Sequence, residues 1–135
     1  MHQAASSDRQ DSLRVLIADD EQPLRLLVRV NLELDGIGVV EAEDGQRAVE
    51  LALADPPDAV VLDISMPSLD GWQVAERLRA HEETADVPII FLTATTDPES
   101  ARRAQAEGAL FVSKPFNPLE LATIVRGASP ANVAS

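Results

Sequence analysis

The sequence predicts an α/β fold: a doubly wound, five-stranded parallel sheet, (βα)5, with helices on both faces. Three observations predict it. Five short apolar runs recur along 135 residues, each run is separated from the next by an amphipathic stretch, and the runs end in polar residues. Strict alternation of strand and helix implies parallel strands, because right-handed crossovers return the chain to the same end of the sheet.

The apolar runs are Leu13 to Ala18, Ile37 to Glu41, Ala59 to Leu62, Val87 to Leu92 and Ala109 to Val112. All are too short for buried helices and read as strands. Between the first two, Gln22, Arg25, Arg29 and Glu33 form a polar stripe at helical spacing, leaving Leu24, Leu27, Val28 and Leu34 for the core, and Gly36 suits the helix stop. Asp44 is the expected N-cap of a second helix through Ala54, and Asp70 of a third through about Ala80. The fourth has Asp97 as cap, Pro98 at its first position, an alanine-rich inward face and Gly108 at its exit. A fifth starts at Asn117 and Pro118, with Glu120 placed for a capping box and Leu121, Ile124 and Val125 on its apolar face. Residues 1–12 and 128–135, small and polar without periodicity, read as a flexible leader and tail around a domain spanning 13–127.

Composition narrows the function. A net charge of -12 has the wrong sign for phosphate backbones or anionic membranes, so no direct nucleic-acid or membrane binding is expected. The absence of cysteine excludes thiolate metal sites and thiol catalysis. No run approaches the length of a membrane span and residues 1–10 hold no signal-peptide core, which makes a cytoplasmic location the expectation. The glycines form no phosphate-cradling fingerprint, His2 and His81 lack the neighbours of a ligand or phosphodonor, and Trp72 and Phe116 read as packing groups.

In an open α/β sheet, ligands bind beyond the carboxyl ends of the strands. Asp19, Asp20 and Glu21 follow strand one, Asp63 follows strand three, Thr93 strand four and Lys114 strand five, so one sheet edge gathers them. Singly, each is ordinary: an acidic turn or cap, a strand threonine, a surface lysine. Together they form a constellation. Two carboxylates about 4 Å apart repel by roughly 4 kcal/mol at an effective dielectric near 20. One lysine does not satisfy three carboxylates, whereas an all-oxygen cluster suits a divalent cation, and Mg2+ (or Mn2+) above all. Magnesium binds through carboxylates and phosphate oxygens, which points to phosphoryl transfer, with Asp63 as nucleophile, Asp19 and Asp20 as metal ligands, and Thr93 and Lys114 holding the arriving phosphoryl oxygens.

The segments LIADDE, VVLDISMPSLDG, PIIFLTA and EGALFVSKPF now have a common interpretation. From about Leu13 to Gly127 the chain resembles the receiver domains of bacterial two-component response regulators. The resemblance implies strand order 2-1-3-4-5 and phosphoryl transfer from a histidine kinase's phosphohistidine, or from a phosphotransfer protein, onto Asp63. It implies Mg2+ held by Asp20, Asp63 and the Ser65 carbonyl, with Asp19 acting through water. It further implies a cis Lys114–Pro115 bond, and roles for Ser65 and Thr95 in setting the phosphoryl lifetime. Thr93 and Phe111 are then the switch pair, Phe111 standing where the family often carries tyrosine or histidine. The implied readout surface runs over helix four, strand five and helix five, from Asp97 to Glu107 and Ala109 to Arg126, including Arg102, Arg103 and Phe111. Implied partners are a downstream protein or the output domain of a longer regulator, and a phosphorylation-dependent homodimer. Such a domain acts as a signalling switch, not an enzyme on other substrates.

Two other functions compete. A magnesium-dependent phosphohydrolase working through an aspartyl phosphate would want an acid-base carboxylate two residues after the nucleophile, where Ser65 stands. A flavodoxin-like protein binding flavin mononucleotide would need a serine- and threonine-rich phosphate loop where Asp19, Asp20 and Glu21 stand.

Overall fold

A computed structural model describes residues 13–94 and 98–128. The elements follow in strict alternation: β1 (Arg14–Ala18), α1 (Gln22–Leu34), β2 (Gly38–Ala42), α2 (Gly45–Ala54), β3 (Ala59–Asp63), α3 (Gly71–Arg79), β4 (Ile89–Thr93), α4 (Pro98–Ala106), β5 (Leu110–Ser113) and α5 (Pro118–Ala128). Ala128, assigned above to the tail, is thus the last residue of α5. The five strands are parallel and ordered β2-β1-β3-β4-β5, as expected. Strand β4 begins two residues later than its apolar run. Val87 is taken up by a turn, its N–H on the Thr84 carbonyl, and Pro88 has no N–H to give a ladder.

Alternation of side chains along each strand sends residues to opposite faces, and each face has its own core. On one side Leu16, Val60, Leu62, Ile89 and Phe91 meet Ala48, Ala52, Val74, Leu78 and Ala104 of α2, α3 and α4. On the other Val15, Ile17, Val61, Ile90 and Leu92 meet Val28 and Leu32 of α1 and Leu121 and Val125 of α5. Strands β3 and β4 are buried along their whole length, whereas β2 and β5 at the edges are only partly covered.

Helix starts follow local chemistry. Asp44 accepts the Arg47 N–H at 2.8 Å, and Asp70 forms a complete capping box with Gln73. Asn117 Oδ1 takes the N–H of Leu119, two residues on, where the capping-box reading expected the third residue. The expected cap Asp97 lies outside the described residues, as do Thr95 and the segments 1–12 and 129–135.

Helix α1 departs from its sequence reading. Its buried residues are Val28 and Leu32, while Leu27 is 46% exposed and Leu34 83%. At 3.6 residues per turn, Val28 and Leu32 lie one above the other on the sheet side, and Leu27 is turned roughly 100° from Val28. Leu34 is the helix's last residue, and the chain turns back at Gly36 (φ 82) to let Ile37 into the core. Among the described residues, no helix is long and apolar enough to cross a membrane.

Candidate functional site

Strand register brings the site together. Ala18 lies beside Leu62, so Asp19 and Asp63 leave neighbouring strands at the same level. Thr93 lies beside Ser113, and the next N–H, that of Lys114, donates to the Thr93 carbonyl at 2.7 Å. The Lys114–Pro115 bond is cis.

Asp19 is fully buried. Its Oδ1 accepts the Glu21 N–H at 2.8 Å, its Oδ2 accepts from Lys114 Nζ at 2.9 Å, and its carbonyl accepts from Arg25 at 2.6 Å. Asp63 is 5% exposed; Oδ1 accepts the Ser65 N–H at 3.2 Å and Oδ2 lies 3.4 Å from Lys114 Nζ. Asp20 is exposed, yet one carboxylate oxygen from each of Asp19, Asp20 and Asp63 falls within 4.8 Å of the others. Thr93 is buried at the end of β4. Ser65 is exposed on the loop just past Asp63.

These groups do not balance. Lys114 Nζ reaches Asp19, Asp63 and, at 3.4 Å, Glu21. Burial and then the charge of Asp19 push the Asp63 carboxyl above the ordinary aspartate value, against the opposing pull of Lys114 and the Ser65 N–H. For Lys114, burial works to lower the value, but the hydrogen bond to Asp19 and the charges of Asp19 and Asp63 outweigh it and hold the ammonium above its usual value. Two buried carboxylates and a third beside them, all oxygen donors with one ammonium between them, form a set that fits a hard divalent cation.

Two contributors escaped the sequence reading. Glu21, noted there as one of three acidic residues past β1, is a direct Lys114 partner, and Arg25, assigned to the polar stripe, tethers the Asp19 backbone. Neither could have been found from spacing, since Lys114 lies far along the chain and the Arg25 bond goes to a main-chain carbonyl. Phe111 is partly buried and packs on the core between the sheet and α2, α3 and α4, level with Phe91. Trp72 and Phe116 do pack, Trp72 with its ring centroid 4.4 Å from that of Phe91 and Phe116 on the α1/α5 side. Arg103 of α4 leans over the Trp72 ring of α3 at 4.2 Å, because the indole offers a cation a favourable face.

Residues 15–126 match the family described as the response regulator receiver domain. The chain is 39% identical over 114 residues to the DNA-binding dual master transcriptional regulator RpaA of Synechocystis, covering 84% of this chain and 47% of that protein. It is equally 39% identical over 108 residues to the phosphate regulon transcriptional regulatory protein PhoB of Pseudomonas aeruginosa, covering 79% and 47%. The chain therefore spans about half the length of these curated relatives. Among solved structures, the receiver domain of the Francisella response regulator 1452 superposes with a TM-score of 0.82 at 28% identity, over 91% of this chain and 99% of that one. The Vibrio cholerae chemotaxis protein CheY4 does so at 0.80 and 30% identity, over 87% and 98%. Neither the hydrolase nor the flavin-binding alternative finds support among them. The chain belongs to the response regulator receiver domain family, whose members are phosphoacceptor modules of two-component signalling.

Proposed function

We propose that Asp63 is the phosphoacceptor of this chain, that Asp19, Asp20, Asp63 and the Ser65 carbonyl hold Mg2+ (or Mn2+), Asp19 through water, and that Thr93 and Lys114 receive the phosphoryl oxygens. The observation that carries this reading is the gathering of the Asp19, Asp20 and Asp63 carboxylates at the carboxyl edge of the sheet, with Lys114 Nζ against the two buried ones, Asp19 and Asp63.

A carboxylate oxygen of Asp63 attacks phosphorus as the bond to the donor's histidine nitrogen breaks, giving an acyl phosphate. The imidazole leaves with the electron pair. No base is needed, since the attacking carboxylate carries no proton. A divalent ion bound there would neutralise charge on the transferring group. Lys114 already stands 3.4 Å from the acceptor oxygen and supplies a fixed positive charge. The new group adds about -1.5 to -2 charge, to which Thr93 and Lys114 respond, with Phe111 rearranging and the α4-β5-α5 surface changing its partners.

The module comprises residues 13–128, through the last residue of α5, and acts in the cytoplasm. Its phosphodonor is a sensor histidine kinase or a phosphotransfer protein. Its output is a contact with a downstream protein, an output domain or a second copy, not turnover of external substrates. A charge of -12 sets this chain itself against DNA. A DNA-binding role like that named for the Synechocystis relative would fall to the part of a longer regulator beyond the matched span.

Incubation with acetyl phosphate and magnesium should add one phosphoryl group, labile to hydroxylamine and absent in Asp63→Asn. An unmodified parent protein, or a modified Asp63→Asn, would refute the assignment.

A further inference from the structure

The loop leaving Asp63 is held at three places. At its far end the Gly71 N–H donates to the Ile64 carbonyl at 2.8 Å, and a Cβ on Gly71 would sit 2.7 Å from the Asp63 carbonyl oxygen. Midway, the loop lies on the first turn of α2. The Gly45 N–H donates to the Pro67 carbonyl at 3.3 Å, and the Gln46 N–H to Ser68 Oγ at 3.0 Å. Ser68 Oγ in turn donates at 3.3 Å to Asp44 Oδ1, the oxygen that caps α2. Directly above, a Cβ on Gly45 would lie 2.0 Å from the Leu69 carbonyl oxygen and 2.6 Å from the Leu69 Cβ, so the loop rests where only glycine fits.

Ser68 adds an independent sign. Its φ of 67 makes it, among the described residues, the one non-glycine in the left-handed region. That conformation favours glycine, and a serine persists there when its surroundings over-determine it. Its two hydroxyl bonds to α2 do so.

We propose that the N-terminus of α2 is a platform that positions the acceptor loop and so sets the affinity of the metal site, with Gly45 and Ser68 as its positioning residues. The inference rests on the reading of Asp63 and the Ser65 carbonyl as metal ligands. Ser65 lies between the two anchored points, one after Ile64 and two before Pro67, so the height of the loop above α2 directs its carbonyl. Magnesium demands near-ideal octahedral geometry, and a small displacement of one ligand lowers affinity. Groups that orient ligands from outside the coordination shell typically change metal affinity by about tenfold or more.

The test titrates magnesium chloride calorimetrically into parent, Gly45→Ala and Ser68→Gly proteins, and melts each in EDTA. Gly45→Ala should weaken magnesium binding about tenfold. Ser68→Gly should weaken it by about threefold, because the two hydroxyl bonds are lost while the glycine platform stays. Its metal-free melting temperature should equal or exceed the parent's, since glycine is at ease at this φ. That opposite movement separates positioning from a purely structural role, and Ser68→Gly carries the test alone if Gly45→Ala does not fold. Unchanged affinity in Ser68→Gly, or a loss that merely follows a lowered melting temperature, overturns the inference. A parent that gives no magnesium heat, or an Asp63→Asn variant that binds like the parent, overturns the ligand reading and the inference with it.

Discussion

Two charged clusters in this molecule are built on opposite plans. On β2, Glu41 receives Arg25 at 3.1 Å and Arg29 at 2.9 Å, one carboxylate between two guanidinium groups. At the ends of β1 and β3, the buried Asp19 and Asp63 share one ammonium, that of Lys114. The titration behaviour differs accordingly. Burial would raise Glu41, but Arg29 and Arg25 outweigh it and the group lies below its ordinary value. At Asp63, burial and Asp19 prevail over Lys114, and the group lies above its ordinary value. A cluster that closes on itself is structural. One left short of positive charge at the ligand edge of the sheet has room for a cation.

The contrast is broken most severely by removing its one ammonium. Lys114→Ala leaves the fully buried Asp19 and its neighbour Asp63 uncompensated, and should lower the unfolding free energy of metal-free protein by about 3 kcal/mol in denaturant titration. Magnesium should restore part of that loss. Asp63→Asn goes the other way: with one repelling charge removed, the metal-free protein should gain about 1 kcal/mol, a fraction of the Coulomb energy at this separation.

The pH dependence sharpens the comparison further. A raised carboxyl contributes stability that is full below its unfolded pKa and lost as pH rises through its folded value. Metal-free protein should therefore lose the Asp63 share of its stability on that rise. Magnesium binding should strengthen over the same window, because it requires the carboxylate. Melting curves with and without magnesium check this, and the dependence should flatten in Asp63→Asn. Glu41 is the mirror case. Its stabilisation is present above the unfolded glutamate value and lost as pH falls through the lowered folded value. Glu41→Gln should be the mildest of these changes, destabilising at neutral pH, with its deficit against the parent vanishing in acid.

Much of the fold was legible because its signals are local. The caps Asp44 and Asp70 bond N–H groups only three residues away, within reach of any reading of the chain. The site edge was legible for a similar reason, since a polar residue closing an apolar strand lands at one end of a parallel sheet. Contacts made by packing were not. Arg103 stacks on Trp72, Arg25 reaches the Asp19 carbonyl, and Leu34 points to solvent despite an apolar pattern that suggested the core. In each case, the partner is chosen by how elements sit against one another.

By itself, the sequence determined the alternation of strands and helices, the presence of acidic groups, a threonine and a lysine at strand ends, and a charge imbalance that a single lysine does not correct. These follow from side-chain periodicity and composition, which survive without knowledge of any contact. The tertiary structure alone decided which of two adjacent aspartates is buried. Asp19 N–H continues the ladder onto the Ala42 carbonyl, and its side chain turns inward to Lys114, while Asp20, one residue on, stays exposed. Nothing in two consecutive identical residues distinguishes them until pairing with β2 assigns one to the interior, because successive side chains of an extended backbone point to opposite sides.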